Sequence, residues 1–266
     1  MFTNLAHDII NYSIYCFLNS KEIIILKSTS KKFKDTKIPF LSLNRELSLK
    51  YYNDKNFKNK IHTLIENPLK NLALDLSYRL IYDVSILGNV HTLNLKCTQV
   101  RDVSMLGNVY NLNLSGTPVK NVSSLSKVHS LDLSITYLED VSMLGNVHTL
   151  SLCYTQQGYT KNYYIDVSNL TNVHTLDLRF SKVKDISMLE NIHTLKFSLS
   201  KIVRILKLPK VRILLIYDDE PLYGDRDLLY RKVIDRPNLS HVRSLILSGT
   251  QVKHISMLGD VHDIII

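Results

Sequence analysis

Valine, leucine and isoleucine recur along most of this chain at fixed offsets. The stretches VHTLNLKCTQVRDVSMLGN, VYNLNLSGTPVKNVSSLSK and VHSLDLSITYLEDVSMLGN begin at Val90, Val109 and Val128 and share one pattern. These heads and Val147 are 19 residues apart; the later steps are 26 to Val173, 19 to Ile192, 19 to Val211, 31 to Val242 and 19 to Val261. Counted from a head, apolar side chains fall at positions 1, 4, 6, 11, 14 and 17, as with Val109, Leu112, Leu114, Val119, Val122 and Leu125. Positions 4 and 6 alternate with polar ones, the period of a strand with one buried face. The later three-residue spacing suits a tight turn or a 3₁₀ segment. A unit this short completes its core only by stacking on its neighbours. The pattern therefore predicts an α/β solenoid of about ten coils at a 19-residue period, with a parallel concave sheet.

The polar positions repeat as well. Position 9 holds Thr98, Thr117, Thr136, Thr155 and Thr250, or Ser181 and Ser200. A ladder of hydroxyls there can satisfy backbone groups in the turn after each strand. The tail DVSMLGN sets Asp102, Asp140, Asp166 and Asp185 before a short apolar turn, where a carboxylate caps free N–H groups. Gly107–Asn108 and Gly145–Asn146 then suit a left-handed turn into the next strand. Recurrence in coil after coil marks the Asp–Ser pairs as structural, not catalytic. Position 2 is histidine in His91, His129, His148, His174, His193 and His262. Equivalent residues of a solenoid stack at about 4.8 Å. No cysteine or carboxylate completes a metal ligand set with them. An exposed stack is expected, losing stability between roughly pH 7 and pH 5 as like charges gather.

Written LxxLxLxxTxVxxVSxLxx, the coil resembles the leucine-rich repeat over residues 71–266, with threonine where that family usually has asparagine or cysteine. Outward strand positions line the hollow of such a sheet, the face expected to meet a partner. The expected target-binding residues are Asn94, Lys96, Asn113, Ser115, Asp132, Ser151, Asp177, Arg179 and Lys196, a small, polar, mixed-charge set without an aromatic cluster. Farther along, the face turns apolar at Ile213, Leu215 and Ile246, as an anchor or as local packing. Insertions near 154–164 and 217–240 break the period and are candidate recognition loops. The sequence stops at VHDIII, part-way into a coil; the apolar edge left by Ile264, Ile265 and Ile266 predicts weak end-to-end association, or pairing of that edge with another partner.

Before the coils the period changes. Leu5, Ile9, Ile10, Ile14, Phe17 and Leu18 fall at helical spacing, and Ser20 precedes KEIIILK as the start of a second helix. A third helix runs from about Thr29 through SKKFK and stops before Pro39. The expected division is a helical module over 1–50, a polar linker over 51–60 and the solenoid over 61–266, with IHTL at 61–64 as a capping strand. The segments LAHDII (5–10), FLNSKEIIIL (17–26) and STSKKF (28–33) resemble, in that order, the F-box, with Ala6 in place of its usual proline. That resemblance implies a three-helix module docking a Skp-type adaptor of a cullin ubiquitin ligase while the repeats hold the target. The matching positions are Leu5, Ile9, Ile10, Leu18, Ile23, Ile24, Leu26 and Phe33. The alternative is a non-enzymatic scaffold whose helices only cap the solenoid.

Composition narrows this picture. The net charge is +9, and residues 1–70 carry 12 Lys+Arg against 6 Asp+Glu, or +6 of it. Lysine on the wet faces of helices accounts for that, and no aromatic-interleaved basic stripe points to nucleic acid. Cys16, Cys97 and Cys153 leave an odd thiol and form no metal-ligand spacing, which predicts a cytoplasmic or nuclear setting. No leader peptide is visible and no apolar run approaches a membrane span. The Lys-, Ile-, Asn- and Tyr-rich wording resembles repeat proteins of large DNA viruses or protists, which implies an infected host cell as one setting. There is no phosphate-binding glycine loop, HExxH, cysteine pair or glycine-flanked nucleophile. Binding, with no cofactor or metal, is expected in place of catalysis.

Overall fold

The computed structural model describes residues 19–29, 37–67, 70–157, 164–189, 191–198, 202–204, 211–217, 242–248 and 263–265. The chain divides into two compact units, residues 1–77 with 89–94, and residues 78–88 with 95–266.

In the first unit, α1 (Ser20–Thr29) is started by Asn19, one residue before the expected Ser20. The Asn19 Oδ1 accepts from the N–H groups of Lys21 and Glu22 at 3.0 and 3.1 Å, and the Glu22 carboxylate accepts from the Asn19 N–H at 2.8 Å. Both sides of a capping box are thus filled. Strand β1 (Leu41–Leu43) pairs in parallel with β2 (Leu72–Asp75), and β2 with β3 (Thr92–Asn94). The expected linker over 51–60 is instead helical, within α2 (Arg45–Asn53) and α3 (Lys55–Leu64). IHTL forms the last turn of α3, not a strand, and the next residue, Ile65, bridges Ile38 in parallel. Asn44 and Asp54 supply the caps, Asn44 accepting from the Leu47 N–H at 3.0 Å and Asp54 from the N–H groups of Asn56 and Phe57 at 2.9 and 3.0 Å. Only Ser48, Tyr51 and Ile61 of the two helices are buried, a narrow inward stripe that the Lys- and Asn-rich wording conceals. Ser48 joins α2 to the sheet: its hydroxyl donates to the Leu43 carbonyl at 3.0 Å and accepts from the Asp75 N–H at 2.9 Å. The Tyr51 hydroxyl lies 2.7 Å from His62 Nε2, and burial pushes the phenol up to about 12.

In the second unit, eight described strands lie side by side in chain order and in parallel. They are β4 (Asn111–Asn113), β5 (Ser130–Asp132), β7 (Thr149–Ser151), β9 (Thr175–Leu178), β11 (Thr194–Ser198), β13 (Ile213–Tyr217), β14 (Ser244–Ser248) and β15 (Asp263–Ile265). Two further parallel pairs are β6 (Tyr137–Leu138) with β8 (Gln156–Gln157), and β10 (Val183–Asp185) with β12 (Ile202–Arg204). The register runs Leu112, Leu131, Leu150, Leu176, Leu195, Leu214 and Leu245 from strand to strand, and every one of them is buried. The leucine column predicted by the repeat is therefore real. About seven turns keep the 19-residue period, fewer than the ten or so expected. The longer steps to Val173 and Val242 interrupt it, and residues 249–262 lie outside those described.

Five of the described strands are followed by a buried hydroxyl, at Thr98, Thr117, Thr136, Thr155 and Ser181. Thr98, Thr117 and Thr136 donate through Oγ1 to the carbonyls of Leu95, Leu114 and Leu133 at 2.7, 2.6 and 2.5 Å. Thr155 and Ser181 reach back to an earlier coil, bonding the carbonyls of Leu133 and Leu152. The 3₁₀ turns Ser85–Leu87, Ser104–Leu106, Ser123–Leu125 and Ser142–Leu144 close the coils. Asp102, Asp140, Asp166 and Asp185 each accept from the N–H of the serine two residues on, at 2.9, 2.8, 3.0 and 2.8 Å, as their recurrence predicts.

The glycines after these turns are not left-handed, contrary to the expectation for Gly107–Asn108 and Gly145–Asn146. Gly107 and Gly145 have φ of −62° and −59°, right-handed values open to any residue. Their role is closeness: a β-carbon on Gly107 would lie 2.5 Å from the Ser124 carbonyl oxygen, and one on Gly145 2.3 Å from that of Asn169. Among the described residues, left-handed backbone stands instead at position 8, just after the strand, at Tyr78, Cys97, Gly116, Ile135, Tyr154 and Phe180, with φ between 55° and 69°.

Candidate binding face

Alternation along each strand turns positions 4 and 6 inward and positions 3, 5 and 7 to the other face of the sheet. Of the expected target-binding residues, Asn94 lies on β3 in the first unit. Lys96, Asn113, Ser115, Asp132, Ser151, Asp177, Arg179 and Lys196 lie in the second. Much of this polar set is engaged within the face. Asn113, Asp132 and Asp177 accept through Oδ1 from the N–H groups of Ser115, Ser134 and Arg179 at 2.9, 2.9 and 3.1 Å, shaping the strand end as an Asx turn does. The Ser134 and Ser151 hydroxyls are 2.8 Å apart. Asp177 is buried and held by Arg179, with Nε to Oδ1 at 2.9 Å and Nη2 to Oδ2 at 2.6 Å; the hydrogen bonds and charge of Asp177 raise the guanidinium above its ordinary value. Ser115 is also buried. Lys96 extends over the Tyr78 ring, its Nζ 5.8 Å from the centroid.

Toward the last strands the face changes character. Position 5 runs Asp177, Lys196, Leu215, Ile246, Ile265 in register. Position 3 runs Thr194, Ile213, Ser244, Asp263, and Ser198 pairs with Tyr217 at position 7. Leu214, Ile216 and Leu245 are buried, whereas Ile213, Leu215, Tyr217 and Ile246 are half-buried and Ile265 is exposed. The apolar residues at these outward positions are thus not core packing. Arg179 lies over the Tyr217 ring at 4.8 Å.

Along the start of the strands runs the histidine stack, and it includes a tyrosine. Tyr110, His129, His148, His174 and His193 stack with centroids 4.5, 4.6, 4.6 and 4.7 Å apart and planes within 20°. Nδ1 of His148, His174 and His193 lies 3.3, 3.4 and 3.2 Å from Oγ1 of the threonine that follows each. Near-parallel rings at this spacing aim their remaining nitrogens side by side, not at a common point as a metal requires. Among the described residues no group of three His, Cys, Asp or Glu is placed to hold a metal ion. Burial and the charge of His148 lower both His129 and His174, with His193 adding to the effect on His174.

The left-handed row at position 8 has no repeating residue type to announce it in the sequence. Tyr78, Cys97, Ile135 and Tyr154 are exposed there, and the Tyr154 and Phe180 rings stack at 4.2 Å. Gly116 in the same place was the available signal, since glycine is the ordinary occupant of a left-handed turn.

The adaptor positions divide. Ile23 is buried in the first unit; Ile24 and Leu26 are half-buried. Ile25, absent from the expected set, is 59% exposed. Leu5, Ile9, Ile10, Leu18 and Phe33 lie outside the described residues, as do residues 158–163 and 218–240 of the two insertions.

No family model matches the chain, and no curated relative does. Among solved structures it is similar to an internalin, inlF, from Listeria monocytogenes, at 15% identity and a TM-score of 0.40, over 77% of this chain and 75% of that one. It is also similar to internalin C2 from Listeria monocytogenes, at 20% identity and a TM-score of 0.48, over 83% of this chain and 90% of that one.

Proposed function

We propose that the chain is a non-enzymatic protein-binding solenoid that holds a protein target on the outward face of its parallel sheet. One observation carries this reading. Outward side chains of β4 to β15 recur as rows in strict register, so they spread along a face and do not converge on a point. Rows suit an extended protein surface; a small substrate needs convergence. The test is affinity capture with the full chain, with bound proteins identified by mass. Partners are expected to be lost from a Ser151→Arg, Lys196→Glu variant and kept by Met143→Glu, which alters an exposed side chain of a 3₁₀ turn. Identical partner sets from both variants would overturn the reading.

A second reading places the chain in a ubiquitin ligase, in the cytoplasm or nucleus of an infected cell, through the F-box-like segment. The exposed Ile25, with Ile24 and Leu26 beside it, supports it, because α1 then offers apolar surface away from Ile23. The buried Ser48, Tyr51 and Ile61 support the simpler capping role, since they serve packing within the first unit. Purified Skp-type adaptor distinguishes the two: binding that survives Ile24→Asp with Ile25→Asp removes the ligase reading. Ile23 is left intact in that variant, because a carboxylate in its buried place would unfold the helix.

A further inference from the structure

The outward face acquires a chemical preference between β11 and β15. Leu215, Ile246 and Ile265 follow one another in register at position 5, flanked by Ile213 at position 3 and Tyr217 at position 7. Neighbouring members of a row stand about 4.8 Å apart, so these side chains form one continuous apolar patch. Cations border it. Lys196 is the register neighbour of Leu215, and Arg179 reaches the Tyr217 ring. Arg212 and Arg243 stand at the starts of β13 and β14, joined by the bond from the Arg243 N–H to the Arg212 carbonyl at 2.8 Å. The described carboxylates nearby are Asp177, which is buried and held by Arg179, and Asp263 on the last strand. Positive charge therefore borders the patch at its near side and at the starts of β13 and β14, while Asp263 stands at the start of β15.

We infer that this half of the face binds an acidic peptide segment in extended form, with aliphatic anchors seated on Leu215, Ile246 and Ile265 and carboxylates meeting Lys196, Arg212 and Arg243. The inference rests on the reading that the outward sheet is the binding face, and names what it selects. A basic segment is opposed because it would bring like charge against Lys196 beside the desolvated Leu215. Single-stranded nucleic acid is less suited, because its phosphates would cross an aliphatic row where a cationic track is needed.

Fluorescence anisotropy of the full chain with labelled peptides tests this. The probe is a ten-residue peptide of alternating aspartate and leucine; controls are Lys–Leu and Asp–Ser peptides and a thymidine oligonucleotide of equal length. The Asp–Leu peptide is expected to bind best, and to weaken several-fold as salt rises from about 0.05 to 0.3 M. Leu215→Ser with Ile246→Ser should lower its affinity about tenfold or more. Lys196→Glu should do the same while Lys196→Arg preserves binding; these single surface changes leave the core untouched. Equal binding of the Lys–Leu peptide, tighter binding of the oligonucleotide, or an unaffected Leu215/Ile246 variant each overturns the inference. If the Asp–Leu peptide fails while captured proteins still depend on Ser151 and Lys196, the face binds proteins by another preference and only this inference falls. If both fail, the binding-face reading falls with it.

Discussion

The imidazole of His148 lies 4.6 Å from that of His174 and is tilted by only 10°, although 26 residues separate the two where 19 is the rule. The extra residues leave the strands undisturbed, for Leu150 still pairs with Leu176 and Ser151 with Asp177. Strand register, not distance along the chain, therefore sets the stack. A protonated His174 ring faces a second imidazole across a van der Waals gap, and its partial burial withdraws some of its water.

Acidification is expected to destabilise the protein in a window set by these rings. His129 and His174 are lowered in the folded chain from an ordinary value of 6.5, so the unfolded chain takes up protons first. The stabilisation is complete above about pH 6.5 and is lost as pH falls through the lowered folded values. Asp102 and Asp140 are lowered from 3.8 by their serine hydrogen bonds, so their contribution disappears in a separate, more acid window. Urea midpoints measured at about pH 7.5 and pH 5.5 should fall together with pH, and His148→Gln should flatten the trend by removing the charge both neighbours face. A midpoint constant over that range contradicts the account.

Thr117→Val tests the hydroxyl ladder. The side chain is buried, and its Oγ1 donates to the Leu114 carbonyl at 2.6 Å. Valine keeps the shape and loses the donor. The Thr117 N–H still reaches the same carbonyl at 3.1 Å, so the acceptor is not orphaned and the expected loss is about 1 kcal/mol. It is read as a lower urea midpoint with an unchanged slope. No loss would mean that the ladder is packing alone.

Gly107→Ala separates two roles of glycine. At φ −62° alanine would ordinarily be preferred by about 0.5–1 kcal/mol, so a conformational role predicts a gain. A β-carbon 2.5 Å from the Ser124 carbonyl oxygen predicts a loss of about 1–3 kcal/mol, because the next coil must move. Ser126, the matching residue of the next coil, is the control: Ser126→Ala should be nearly neutral. Thermal melting of the two variants decides, and equal melting temperatures would refute the close-approach role.

Much of what repeats in this fold is legible in the residues, except the left-handed row at position 8, where the residue type changes from coil to coil. Leu112 and Leu131 announce their column by spacing alone, and so do the capping Asp102 and Asp140 and the ring stack from His129 to His193. Single features escape. The helices Arg45–Asn53 and Lys55–Leu64 bury only Ser48, Tyr51 and Ile61, too few for a visible helical period, although their caps Asn44 and Asp54 were in plain view. Alternation placed Asn113, Asp132 and Asp177 on the correct face but could not say that their carboxylate or amide oxygens serve the neighbouring N–H groups. Ile135 hides its conformation best of all, because a β-branched residue is the last expected at φ 58°.

That conformation has a measurable cost. A left-handed backbone opposes a β-branched side chain by roughly 1–2 kcal/mol, and Ile135 is 58% exposed, so it recovers little by burial. Ile135→Gly should raise stability by about 1 kcal/mol after the extra chain entropy of glycine is subtracted. A drop in the melting temperature would show that Ile135 makes stabilising contacts outweighing the strain.

The two described cysteines should differ in reactivity, and the reason lies in their neighbours. Cys153 follows β7 on the outward face, partly covered; burial, reinforced by the charge of Asp177, pushes its thiol up to about 11. At pH 8 almost none of it is thiolate, the only form that attacks an alkylating agent. Cys97 occupies the exposed left-handed position one coil-step away from Gly116. Iodoacetamide at about pH 8, followed by peptide mass mapping, should label Cys97 well before Cys153. Asp177→Asn should accelerate labelling of Cys153, since it removes a charge that raises the thiol, and it should leave Cys97 unchanged. Equal labelling of the two thiols in the unaltered chain would mean that the cover over Cys153 opens readily, and the outward face would then be less ordered than its register implies.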